Sequence, residues 1–200
     1  MRIAVVSDIH GDLAAFEAVL KDLRTMSPDL VLHGGDLADH GPAGVEIVDR
    51  IRDLGWPGVA GNTDEMLFRP ASVDEFVGGK PHLKGFFDSI AVNLEERRAA
   101  LGEERLAWLR DLPRVYLGDD LALVHASPGN LWTSPSDDSD FVVLQRPLVV
   151  YGHIHRPYIR QVGGMTVANS GSVSLSHDGD PRPSYMLIDD SLPAIRRVEI

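Results

Sequence analysis

The chain has 200 residues, a formal net charge of −11, 44% hydrophobic and 24% charged residues, and no cysteine. Its length carries one sizeable core, and the missing cysteine removes disulfides and thiolate metal sites. An acidic chain without a basic stripe is a poor partner for nucleic-acid backbone, and no run approaches the roughly 18 apolar residues of a membrane span.

No signal-peptide-like stretch opens the chain, so the expectation is a soluble, cytoplasmic, single-domain protein over residues 1–200. Residues 2–6 read as a buried strand, followed by Ser7-Asp8-Ile9-His10-Gly11-Asp12. Asp12 suits the N-cap of a helix with Leu13, Phe16, Leu20 and Leu23 on one face, and Ser27-Pro28 should end it. Residues 30–32 form a second strand that ends in His33-Gly34-Gly35-Asp36. Residues 42–54 read as a helix, with Pro42 near its first turn. Residues 57–60 read as a short third strand that ends in Gly61-Asn62-Thr63-Asp64.

Residues 65–112 say least. A helical run from Leu94 to Arg110 is clear, with Trp108 and Leu109 as packing residues. Its Glu95-Glu96-Arg97-Arg98 reads as a solvated face, and His82 as a surface residue. Residues 115–117 and 121–124 flank Gly118-Asp119-Asp120 as a hairpin, and His125 follows at once. A polar loop then runs to about Asp140; Trp132 within it either shapes a pocket or plugs the core. Leu148-Val149-Val150 is a further buried strand. Tyr151-Gly152-His153-Ile154-His155 lies just past its carboxyl end, where open α/β sheets place their chemistry. Gly152 would let the backbone turn there. Residues 165–169 read as a strand, and residues 185–188 and 195–198 as a closing antiparallel pair.

Asp8, His10, Asp36, Asn62, His125, His153 and His155 thus fall at five strand ends of an α/β pattern. Singly, each is an ordinary turn or surface residue; their recurrence at successive strand ends gives them meaning. Seven such groups exceed the needs of one tetrahedral zinc. They suit two metals that share a carboxylate and hold both oxygens of an in-line phosphoryl displacement. Mixed imidazole, carboxylate and amide ligation favours manganese, iron or zinc over calcium.

The ordered set Asp8-x-His10, Gly35-Asp36, Gly61-Asn62, His125 and Gly152-His153-Ile154-His155 resembles the motifs of the calcineurin-like metallophosphoesterases over nearly the whole chain. The stretch from Asn169 to Tyr185 resembles the tail of their small prokaryotic phosphodiesterase branch. The resemblance implies a four-layer α/β/β/α sandwich. It also implies a first metal on Asp8, His10, Asp36 and His155, and a second on Asp36, Asn62, His125 and His153. Asp36 would bridge, a hydroxide between the ions would attack phosphorus, and Asp36, Asn62 and His125 would carry the catalysis. One position departs from the pattern. Many members have a histidine after the asparagine as proton donor to the leaving group, and here Thr63 stands there. General acid catalysis is worth about 10²–10⁴-fold, so its loss favours diesters or activated esters. Asp64 and His40 are the conceivable replacements. Ser170, where relatives often have proline, is a second, smaller departure.

The expected activity is metal-dependent hydrolysis of small phosphodiesters such as cyclic nucleotides, with two divalent ions, manganese first among them. A phosphomonoesterase, protein phosphatase or dinucleoside polyphosphate hydrolase is the alternative. A non-catalytic scaffold is disfavoured because no ligand is lost. A small phosphorylated substrate is the expected partner, with no stable nucleic acid and no membrane. Phe86 and Phe87 suit either a homodimer interface or the core.

Overall fold

The computed structural model describes residues 1–200, the side chains of Ile90 and Ala91 excepted. Its centre is a pair of facing sheets. In the first, β1 (Arg2–Val6) lies parallel to β2 (Leu30–His33) and antiparallel to β8 (Ser184–Asp189), which pairs with β9 (Leu192–Arg197). The second has the order β3-β4-β5-β7-β6. These strands are β3 (Val115–Leu117), β4 (Leu121–Val124), β5 (Leu148–Tyr151), β6 (Tyr158–Val162) and β7 (Met165–Asn169). Strands β4, β5 and β7 run parallel, and β3 and β6 close the two edges antiparallel.

Alternation along each strand sends successive side chains to opposite faces. Ile3, Val5 and Leu32 therefore meet Leu121, Leu123, Leu148 and Val150 in the seam between the sheets. Ala4 and Val6 point the other way, into a core shared with α1 (Leu13–Met26), α2 (Gly44–Leu54), α3 (Asn62–Phe68) and α6 (Leu94–Asp111). Helix α1 forms as its sequence dictates. Asp12 accepts the Ala15 N–H at 3.0 Å, and Ala15, Phe16, Val19, Leu20 and Leu23 make the buried stripe. Ser27 closes it in a left-handed conformation before Pro28. The outer face of the second sheet, with Ala122, Val124, Val149 and Val167, packs with Phe141 of the 3-10 turn Asp138–Leu144. The architecture is the α/β/β/α sandwich, with its fourth layer thinned to that turn.

Several expectations need correction. Residues 57–60 do not make a strand. Only a single parallel bridge joins His33 to Gly58, because Pro57 has no N–H to donate and the chain then turns so that Ala60 N bonds Pro113 O. Pro42 lies ahead of α2, whose cap is Ala43. Helix α6 is broken at Gly102 (φ 70°, ψ 165°). The uninformative stretch holds α3, α4 (Ala71–Val77) and α5 (Lys84–Ala91). The charged cluster on α6 is not wholly solvated: Arg97 reaches the buried Asp39 at 2.8 Å, and Arg98 bonds the Leu67 carbonyl. Among the described residues, no helix is long and apolar enough to cross a membrane.

Candidate metal centre

The ligand candidates sit on loops that leave β1, β2, β4 and β5 and on the first turn of α3. Backbone bonds sew these loops together. The N–H groups of Ile9 and His10 both reach Asp36 O at 2.9 Å, Asp8 N reaches Gly35 O at 3.0 Å, and Gly152 N reaches His125 O at 3.0 Å. Asp8, His10, Asp36, His153 and His155 all have positive φ, between 49° and 66°. Non-glycine residues visit this region at a cost of order 1 kcal/mol or more, so such a concentration marks a place where side-chain direction outranks backbone ease.

The side chains converge. Asp8, His10, Asp36 and His155 each offer a ligand atom, and these atoms lie within 4.8 Å of one another. His155 Nε2 is 3.1 Å from Asp8 Oδ1 and 3.3 Å from His10 Nε2. Asp36 Oδ2 stands 3.7 Å from His10 Nε2 and 3.4 Å from His125 Nε2. A second focus forms around Asn62 Oδ1, with His125 Nε2 at 2.9 Å and His153 Nδ1 at 3.0 Å. All seven sequence candidates are therefore brought together, in two groups that meet at Asp36.

The inner nitrogens are aimed from behind. His125 donates from Nδ1 to Gly34 O and His155 from Nδ1 to Leu175 O, each at 2.8 Å, which leaves Nε2 facing inward. Asp36 Oδ1 accepts the Thr63 N–H at 2.9 Å. Two glycines make room. A Cβ on Gly61 would overlap the Asp36 carboxylate, and one on Gly152 would overlap that of Asp8. Gly152 is thus needed for close approach and not for a left-handed turn, since its φ is not positive.

Buried carboxylates and imidazoles set one another's charge here. Burial alone would raise the Asp36 carboxyl, but His125 and His10 beside it hold it well below the usual range. Burial would lower the His125 imidazolium, but the Asp36 and Asp8 carboxylates outweigh it and push it up to about 9. Burial holds His10 and His153 down at about 4. His10 Nδ1 is buried without a hydrogen-bond partner. Two ring nitrogens face each other at 3.3 Å where only one can donate. Lone pairs crowded in this way fit bound cations better than they fit each other.

Two helpers carried no clear sequence signal. Asp64, fully buried, accepts from the backbone N–H groups of Asp36, Leu37 and Gly61 at 2.8, 2.9 and 3.0 Å. It is a structural clamp, and burial together with the Asp36 charge pushes its carboxyl up to about 6. Asp39, also buried, pairs with both Arg97 and His40. His40 is half-exposed, and its ring centroid lies 5.2 Å from that of His10. Thr63 Oγ1 is buried without a partner. Trp132 resolves both ways: it packs in the core, stacked on Phe76 at 5.3 Å, and also lines a cavity. His82 and Phe86 are exposed, whereas Phe87 packs on Trp132.

The calcineurin-like phosphoesterase superfamily domain matches residues 1–191. The chain belongs to that superfamily. A crystal structure of a metallophosphoesterase from Sphaerobacter thermophilus superposes with a TM-score of 0.79 at 26% identity, covering 100% of this chain and 89% of that one. Phosphodiesterase YfcE of Escherichia coli K12 is 26% identical over 205 residues, 98% of this chain and 91% of YfcE. The symmetrical bis(5'-nucleosyl)-tetraphosphatase of Aromatoleum aromaticum is 34% identical over 139 residues, 67% of this chain but 47% of that protein. Fold and family are those of phosphoric ester hydrolases.

Proposed function

We propose that this superfamily member is a phosphodiesterase of small substrates that works with two divalent ions, manganese first among them. The observation that carries the reading is the pair of donor groups meeting at Asp36. One comprises Asp8, His10, Asp36 and His155; the other comprises Asp36, Asn62, His125 and His153. Ions bound there would polarise water and the phosphoryl oxygens. The mixed imidazole and oxygen donors suit manganese, iron or zinc.

The chain's own residues supply position and proton traffic. Asp36, tied to Thr63 N through Oδ1, keeps Oδ2 turned toward the histidines. His125 and His155 keep their Nδ1 protons on carbonyls and present Nε2. Thr63 contributes an N–H and no acid, so monoesters with poor leaving groups are weak substrates. His40, held by Asp39 at the rim beside His10, is the group placed to protonate a departing alkoxide. His40→Gln should then slow alkyl diesters about tenfold or more while sparing p-nitrophenyl esters, whose leaving group needs little help. Equal loss on both would remove His40 from the reaction. A dinucleoside polyphosphate hydrolase is the second reading, favoured by the tetraphosphatase likeness.

The test is a matched assay of metal-stripped protein on bis-p-nitrophenyl phosphate and p-nitrophenyl phosphate, with and without manganese. Manganese-dependent cleavage, faster on the diester, is expected. Faster monoester cleavage, or activity indifferent to metal, would overturn the proposal.

A further inference from the structure

A cavity of about 330 Å³ is lined by Arg69, Lys80 and Arg114, with Glu65 of α3 and Trp132 of the loop after His125 in its wall. We propose that it is a subsite for a second anionic group of the substrate, a phosphate carried beyond the one that is cleaved. The proposal rests on the phosphoesterase reading above and names its substrate class as an oligophosphate ester.

Position is the first argument. Arg114 immediately precedes β3, where Val115 pairs with Val124, so it stands level with His125 at the ligand end of the sheet. Glu65, which organises the cavity, comes three residues after Asn62 on α3, a rise of about 4.5 Å. The cavity wall thus shares α3 with Asn62 and the β3–β4 pairing with His125.

The second argument is construction. Three cations gather here in a chain of net charge −11. The Glu65 side chain is 2% exposed. Its Oε1 takes Arg69 Nη2 at 3.1 Å and Arg114 Nη2 at 2.8 Å, and its Oε2 takes Trp132 Nε1 at 2.6 Å. Two guanidiniums are thereby fixed in place, and a fixed planar fork is the shape that recognises phosphate oxygens. Donor capacity remains. Lys80 Nζ lies 3.5 Å over the Phe76 ring and, among the described residues, has no carboxylate partner. Arg114 makes no second hydrogen bond among them. Ser72 Oγ lines the same cavity, buried and without a partner. Glu65 and Glu75 offset two of the three charges. The surplus of one suits a single phosphate and is too small for a nucleic-acid backbone.

The test begins with binding, which does not depend on turnover. Inorganic tripolyphosphate is titrated by calorimetry into metal-stripped protein, so that it cannot bind through a metal ion. Wild type is compared with Lys80→Gln and Arg114→Gln, with Arg160→Gln as the control and a melting curve for each. Loss of one charged hydrogen-bond partner should weaken binding about tenfold to a hundredfold in the first two variants and not in the control. Lys80→Gln leaves no buried group unpaired, so its fold is secure. Equal binding by all four proteins overturns the subsite. Manganese-loaded proteins are then compared on diadenosine tetraphosphate and bis-p-nitrophenyl phosphate. The ratio of the two kcat/KM values should fall about tenfold in Lys80→Gln, through KM. An unmoved ratio overturns the role in substrate choice. If no ester is cleaved but tripolyphosphate binding still responds, the subsite stands and the hydrolase reading fails.

Discussion

At the scale of single residues, the proposed chemistry turns on Asp36 and the glycine beside its carboxylate. Gly61→Ala would drive a methyl group into the Asp36 side chain and its backbone N. The expected outcome is a metal affinity lowered by about tenfold or more together with a loss of stability, read by manganese titration and urea unfolding. His33 tests burial alone. It is fully buried beside Trp108 (centroids 6.0 Å apart), and neither ring nitrogen has a partner. Burial lowers its folded-state value to about 4 against 6.5 for the free group. Between these values the unfolded chain binds the extra proton, so His33 makes stability rise with pH and fall as pH drops from 6.5 toward 4. Urea unfolding of wild type and His33→Phe should diverge by about 2 kcal/mol between pH 7 and pH 5. A difference that does not vary with pH would show that His33 does not titrate in this way. Six of the seven ligand candidates were legible as metal-binding residue types past strand ends, whereas Asn62 follows only an isolated bridge and opens α3. The reason for Gly152 was not, since its neighbour Asp8 lies 144 positions away in the sequence.

Elements bring loops into register, and α3 does so through one carboxylate. Asp64 gathers the N–H groups of Asp36, Leu37 and Gly61, and so ties the loop after β2 to the start of the helix. Asp64→Ala would leave three buried donors unsatisfied at about 1–3 kcal/mol each. We expect a loss of at least about 3 kcal/mol in urea unfolding and a fall in manganese affinity, because Asp36 and Asn62 both lose their anchor. Stability within about 1 kcal/mol of wild type would show that the clamp is dispensable. At this scale the sequence was partly opaque. Helix α1 and strands β1, β4, β5 and β8 announce themselves through caps and apolar runs. Strand β6 does not, because its three central residues are exposed and it lacks alternation. Helices α3–α5 are short, and only tertiary contacts of Met66, Leu67 and Phe76 give them an inside.

For the whole molecule, the proposed metal centre would act as a staple. Its candidate ligands come from loops of both sheets, so ions held only by the folded state would add to stability by mass action. At a hundredfold excess over Kd this amounts to about 2.7 kcal/mol, or roughly 5–10 °C in Tm for a chain of this size. Chelation should lower Tm by that amount and manganese should restore it; a Tm indifferent to both would separate the centre from folding. The sandwich was legible from the sequence only through family resemblance, because strand pairing between β1 and β8 joins residues that no local pattern connects. The thin fourth layer was not legible, since the turn at Asp138–Leu144 lies in a loop that reads as polar.

The claim that everything else rests on is two metal ions sharing Asp36. Metal content after reloading stripped protein with manganese and dialysing it, measured by mass spectrometry against protein concentration, tests this directly. Two ions per chain are expected for wild type, one for Asn62→Ala, and none retained tightly by Asp36→Asn. A single ion in wild type, or two ions that survive Asp36→Asn, would contradict a dinuclear centre bridged at that residue.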